Sequence, residues 1–235
     1  MLPSFRLIKI FDIDIRIHAS FFILPAAVSF FYARDYGYIV GVRACTLILL
    51  VFACILGHEL CHSLQARRFG ILVPRITLYP IGGVAGLQRI PREPKQEFAI
   101  SIVGPLFNFT LALLLFFPFY YWLGRENLFS PSLDSWPKMW ANVFWLNPVL
   151  GLFNLVPAFP MDGGRILRSL LARKMSYLKA TLFCVNLGRI FAILFLLLGV
   201  FYKYWTLALV GLFIYLSADS EKRQAYFYDE HDSQN

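Results

Sequence analysis

His58, Glu59 and His62 stand in the run Gly57-His58-Glu59-Leu60-Cys61-His62. On a helix, residues four apart share a face, so the two imidazoles can converge on one Zn²⁺ ion. The glutamate beside the first histidine can then act as general base toward water, the chemistry of metal-assisted hydrolysis. Residues 46–56, just before the motif, are almost wholly apolar, an odd setting for a reaction that consumes water. The bland alternative is a pair of polar residues at a helix end facing solvent. Against it, ionisable groups in an apolar span are costly and tend to be functional, and here three fall within five residues.

Catalytic zinc usually takes three protein ligands plus water, so the two histidines need a third. Most of the 14 acidic residues lie in loops or near the termini. Asp162 is the exception, in Asn154-Leu155-Val156-Pro157-Ala158-Phe159-Pro160-Met161-Asp162-Gly163-Gly164-Arg165. The prolines and the Gly-Gly pair break helix geometry there and could aim a carboxylate sideways; irregular backbone at membrane depth is tolerated where it lines a cavity. The competing reading is an exposed helix N-cap aspartate. His18 reads as a satisfied interfacial histidine and His231 as solvated. Cys61 is rotated about 100° from its neighbour His62 and is discounted as a ligand. Glu97 and Asn108, flanking Gly104-Pro105, read as capping and interhelical hydrogen-bonding residues. Arg189 reads as a snorkelling or paired cation.

These residues need helices to hold them, and the composition says where those helices lie. The chain of 235 residues is 58% hydrophobic and 15% charged, with a mean hydropathy of +0.61. Soluble domains run at roughly 45–50% and about 25%, so the expectation is a mostly α, polytopic membrane protein. The net charge of +8 is dispersed between apolar segments, which fits membrane topology better than nucleic-acid binding. Six spans are expected, at about 18–33, 38–68, 97–123, 139–157, 181–201 and 204–218. Residues 5–17 alternate apolar and charged residues and read as one strand, half buried or at the membrane surface. Residues 75–80 read as a second strand, and 81–86 as a turn or irregular strand. Residues 1–218 form the expected core, and 219–235 a charged tail, disordered at its end. Cys45, Cys54, Cys61 and Cys184 read as free thiols, and no cleavable signal peptide is expected.

With six spans, sixteen of the 22 Lys and Arg fall on the side of both termini and the 69–96 insert, and five on the other. The positive-inside rule puts both termini in the cytosol. The second and fourth spans then both run inward, so the histidine pair and Asp162 emerge at one depth.

The chain resembles the site-2 protease family of intramembrane zinc metalloproteases. The resemblance covers roughly residues 16–218. It rests on His58-Glu59-x-x-His62, on Gly82-Gly83, and on Asn154-x-x-Pro157 followed by Asp162-Gly163-Gly164. Glu97 and Gly104-Pro105-x-x-Asn108 also look like the family's third-span pattern. It implies one Zn²⁺ per chain held by His58, His62 and Asp162, with Glu59 catalytic and Asn154 assisting. It implies a six-helix core with a small membrane-associated sheet, in the cell membrane. The expected activity is cleavage of a peptide bond within or near the transmembrane segment of membrane-protein substrates, as in regulated intramembrane proteolysis. Asn154 is the candidate oxyanion donor. The 75–79 strand with Gly82 and Gly83 could pair with an unwound substrate by β-addition. Many relatives carry a PDZ or CBS module, for which the 17 residues after the sixth span leave no room.

Two alternatives remain. A protease trimming prenylated C-termini would need a downstream glutamate ligand, and none occurs between Glu126 and Glu221. A metal transporter or non-catalytic membrane binding protein would favour ligands along a path across several helices, whereas here the polar set gathers on two.

Overall fold

The fold is described from a computed structural model covering residues 3–80, 82–88, 91 and 93–232. It is mostly helical, with one four-stranded sheet. The chain divides into two compact units, residues 1–90 with 103–151, and 91–102 with 152–235.

The first unit begins with a hairpin, β1 (Ser4–Ile10) and β2 (Ile13–His18), where one strand was expected. The turn between them is Phe11-Asp12, both at positive φ (49° and 60°). Two such residues make a tight hairpin turn, and the pair lacks the Asn-Gly or Asp-Gly signature that would announce it. Arg67 Nη1 donates to the Phe11 carbonyl and holds the turn. The His18 Nδ1 accepts from the Ser20 backbone N–H and contacts Ser20 Oγ at 2.7 Å, capping a 3-10 turn over Ala19–Phe22. His18 is therefore satisfied, as expected.

Helices α1 (Ile23–Tyr36) and α2 (Tyr38–Arg68) follow, parted by Gly37 at φ 94°. They approach closely at Gly41, where a Cβ would lie 2.6 Å from the Ala33 Cβ. Strands β3 (Arg75–Tyr79) and β4 (Gly82–Ala85) complete the sheet in the order β1-β2-β3-β4. The β2/β3 pair is parallel, with Ile15 opposite Ile76, and β3/β4 is antiparallel, with Leu78 opposite Gly83. The period of two puts Ile13, Ile15 and Ile76 on one face, where they pack with Leu56 and Leu60 of α2. The sheet thus rests on the helical turn that carries the motif.

Helix α3 (Pro94–Leu123) begins in the second unit and ends in the first. A short α4 (Arg125–Leu128) leads to α5 (Trp136–Asn154). In the first unit, Cys54 of α2 packs with Met139 and Val143 of α5, with Leu111 of α3 against them. Ala112 and Phe119 of α3 pack with Ala141 and Phe144 of α5.

The second unit contains α6 (Asp162–Leu171), α7 (Tyr177–Phe201) and α8 (Trp205–Asp232). Helices α7 and α8 approach where residues are small: a Cβ on Gly199 would lie 2.4 Å from the Ala208 nitrogen, and one on Gly211 would lie 2.6 Å from the Ala192 carbonyl oxygen. Arg189 of α7 pairs with Asp219 of α8, the partner expected of a cation in an apolar helix. The charged tail continues α8 through Asp232, and residues 233–235 lie outside the described ones.

Three helices among the described residues are long and apolar enough to cross a membrane: Tyr38–Arg68, Pro94–Leu123 and Tyr177–Phe201. The expected count was six. Helix α1 has 14 residues, about 21 Å of rise against a hydrocarbon core of about 30 Å. Helix α5 is shortened by ending at Asn154 and diluted by tryptophan, asparagine and proline, and the apolar part of α8 gives way to charge after Ala218.

Candidate metal centre

His58 and His62 lie about three and about two turns from the end of α2 and project from one face of it. Their Nε2 atoms are 3.0 Å apart. Two nitrogens each about 2.05 Å from a tetrahedral Zn²⁺ would be about 3.3 Å apart, so the pair is already close to the spacing one ion requires. The space beside them is kept open by a glycine on α3. A Cβ on Gly104 would lie 2.2 Å from His62 Nε2 and 2.6 Å from His58 Nε2. A second glycine, Gly57, lets the helices meet: a Cβ there would lie 2.3 Å from the tip of the Phe107 ring.

His58 is buried and its ring is held from behind. Its Nδ1 lies 2.6 Å from Asn108 Oδ1, and Asn108 Nδ2 donates to Asn147 Oδ1 at 3.0 Å. A ligating histidine characteristically donates its other ring N–H to an oxygen, and Asn108 supplies that oxygen. The interhelical hydrogen bonding expected of Asn108 therefore ends on a motif histidine. Glu59 lies under the sheet, with a Cβ on Gly83 only 2.8 Å from its Cγ. Cys61 is half-buried and, like the other three cysteines, a free thiol.

Asp162 is the first residue of α6, and the N-cap is Met161. The aspartate is half-buried, so the exposed N-cap reading fails on both counts. The chain reaches it by a fold-back after Asn154, the last residue of α5. Gly163 and Gly164 permit this: a Cβ on Gly163 would lie 2.3 Å from the carbonyl oxygens of Leu155 and Val156, and one on Gly164 2.8 Å from the Ala158 carbonyl carbon. Phe159 anchors the fold-back, fully buried against Cys184 and Val185 of α7 and Ala218 of α8.

Behind α6 lies a buried ion network. Arg168 Nε donates to Glu97 Oε1 at 2.9 Å, Arg168 Nη1 to Glu221 Oε2 at 3.1 Å, and Arg165 Nη2 to Glu221 Oε1 at 3.3 Å. The Arg168 guanidinium lies 4.8 Å from the ring centroids of both Phe159 and Tyr177. Burial pushes the Glu221 carboxyl up, but Arg165 and Arg168 outweigh it and hold it below its usual value. Glu97 is thus one half of a buried pair rather than a cap.

His58 and His62 of the first unit are two candidate ligands for a metal ion, and Asp162 of the second unit is the third that the sequence offers. Asn147, Arg168 and Glu221 were not singled out in the sequence. The available signal was spacing: Cys54 and His58, Gly104 and Asn108, and Val143 and Asn147 are each four apart, so each pair shares one helix face.

Peptidase family M50 matches residues 46–130 and 130–196. Zinc metalloprotease MJ0392 of Methanocaldococcus jannaschii is 37% identical, over 94% of this chain and 61% of its own length. Putative zinc metalloprotease Rip3 of Mycobacterium tuberculosis is 31% identical, over 85% of this chain and 50% of its own. The chain thus spans between half and about three fifths of the length of these curated relatives. Among solved structures, the site-2 protease from Methanocaldococcus jannaschii superposes with a TM-score of 0.68 at 34% identity, covering 94% of this chain and 95% of that one. The family match runs through both the histidine helix and the aspartate turn, and a relative holds 37% identity across 94% of the chain, so the chain belongs to peptidase family M50.

Proposed function

We propose that this membrane protein is a zinc-dependent endopeptidase that cuts a peptide bond within or near the transmembrane segment of membrane-protein substrates. The observation that carries it is the pair of Nε2 atoms 3.0 Å apart, beside Glu59, in a helix long and apolar enough to cross a membrane. His58, His62 and Asp162 hold one Zn²⁺ per chain. Once bound, zinc supplies Lewis acidity to the scissile carbonyl and lowers the pKa of water toward about 7. Glu59 takes the proton from the attacking water and delivers it to the leaving amine. Asn154 donates a hydrogen bond to the developing oxyanion.

A helical substrate hides its amides and must unwind before it is cut. Strand β4 is an edge strand, and the absence of side chains at Gly82 and Gly83 lets an extended peptide lie alongside it by β-addition. The long apolar helix α2 ends in Arg67 and Arg68, and the positive-inside rule puts that end in the cytosol. Water then reaches the site from the cytosolic end of α2. Exposed Phe5, Leu7, Ile8 and Phe11 on the β1 hairpin supply an apolar surface for the membrane interface.

The test is cleavage of a membrane-embedded reporter by the wild-type chain and by Glu59→Gln. The variant should keep its zinc and lose cleavage. Cleavage at the wild-type rate would remove Glu59 as the base, and wild-type cleavage undiminished by metal chelation would remove zinc. Proteomics of membrane fragments, comparing the same two proteins, would identify the substrates.

A further inference from the structure

Two asparagines lie at the centre of the packing between α2, α3 and α5: Asn108 is 0% exposed and Asn147 1%. A buried carboxamide group left without a partner is destabilising, so these side chains must be satisfied by one another or by their surroundings. Their bonds run in single file. Asn147 Nδ2 donates to the Val143 carbonyl oxygen at 2.8 Å and to Cys54 Sγ at 3.4 Å. Asn147 Oδ1 accepts from Asn108 Nδ2 at 3.0 Å, and Asn108 Oδ1 faces His58 Nδ1 at 2.6 Å.

The direction of this file is fixed at one end. A backbone carbonyl can only accept, so Asn147 must turn its nitrogen to Val143 and its oxygen to Asn108. Asn108 must then turn its nitrogen to Asn147 and its oxygen to His58. Flipping either amide sets oxygen against oxygen or nitrogen against nitrogen at a buried contact. His58 meets an oxygen and must carry its proton on Nδ1, which puts its lone pair on Nε2, the atom 3.0 Å from His62 Nε2.

We propose that Asn147 is a positioning residue for the metal: acting through Asn108, it holds His58 in the Nδ1–H tautomer whose Nε2 can ligate zinc. The proposal rests on the metal site proposed above. A carboxylate often fills this role behind a zinc histidine. Here a neutral amide pair does so without placing another charge in an apolar span, where charge is costly.

The tautomer can be read directly on the zinc-free protein by ¹⁵N NMR of labelled histidine in bilayers at mildly alkaline pH. With four histidines in the chain, single substitutions assign the signals. The expected result is Nδ1–H at His58 in the wild type. Asn147→Leu should lose this preference and bind zinc about 10–100-fold more weakly in competition with a chelator. Asn108→Leu should weaken zinc equally, and the double substitution no further, because both break one file. Adding Asn108→Asp to Asn147→Leu should restore zinc affinity, because a carboxylate presents an oxygen to His58 whichever way it turns. An Nε2–H signal at His58 in the wild type overturns the proposal whether or not any variant folds. So does unchanged zinc affinity in Asn147→Leu. Failure of the wild-type chain to take up zinc would instead overturn the metal site, with the tautomer still standing as measured.

Discussion

Gly83 of β4 lies directly against Glu59 of α2, so that a Cβ on the glycine would sit 2.8 Å from the glutamate Cγ. The contact ties the sheet edge, where an extended substrate would pair, to the group that would move the proton. The φ of Gly83 is not in the left-handed region, so alanine there strains no backbone and acts through the clash alone.

Gly83→Ala should therefore displace Glu59 while leaving the histidine pair in place. A displacement of about 1 Å at a reacting group can cost about 10²-fold in rate. The expected outcome is a loss of that order in kcat with zinc affinity unchanged, read by reporter cleavage beside a metal titration. Full activity in Gly83→Ala would mean that Glu59 has room to move and that the contact does not position it.

Gly104→Ala should fail differently. Its Cβ would fall 2.2 Å from His62 Nε2 and 2.6 Å from His58 Nε2, and neither atom can yield while both remain ligands. The purified variant should lose zinc by metal analysis and lose cleavage with it. Wild-type zinc content would show that the two helices can separate at this point, and that the close approach is not needed to hold the pair together.

The local parts of this arrangement were legible in the sequence, and the reciprocal ones were not. His58 and His62 share a face because helix geometry fixes it, and the long apolar runs of α2, α3 and α7 can be read from composition alone. The Phe11-Asp12 turn was missed because a bulky aromatic and an aspartate held at φ 49° and 60° carry no glycine signal. Asn147 was missed because it has meaning only opposite Asn108, 39 residues away. Glu97 read as a cap because its partner Arg168 lies 71 residues on and looked like one more cytosolic cation in the charge count. The tail read only as charged, and what its composition did not show is that Glu221 binds both Arg165 and Arg168 and fastens α8 to α6.

That last attachment predicts a pH dependence. The Glu221 carboxyl feels burial, which raises its pKa, and Arg165 and Arg168, which lower it further than burial raises it, so its folded value lies below the usual 4.5. A depressed carboxyl pKa means that the unfolded chain binds more protons than the folded one as acid is added. The ion pair's contribution is then fully present above 4.5 and is lost as pH falls through the folded value. Hydrogen bonds to charged groups contribute about 1.5–3 kcal/mol each in a protein interior. Glu221→Gln should accordingly lower Tm at neutral pH, and its deficit relative to wild type should shrink as the pH is taken below that range. Thermal unfolding of both proteins in the same detergent across the acid limb measures this. A deficit that stays constant with pH would assign the role of Glu221 to packing, because a lost ionic contact cannot persist once the wild-type carboxylate is itself protonated.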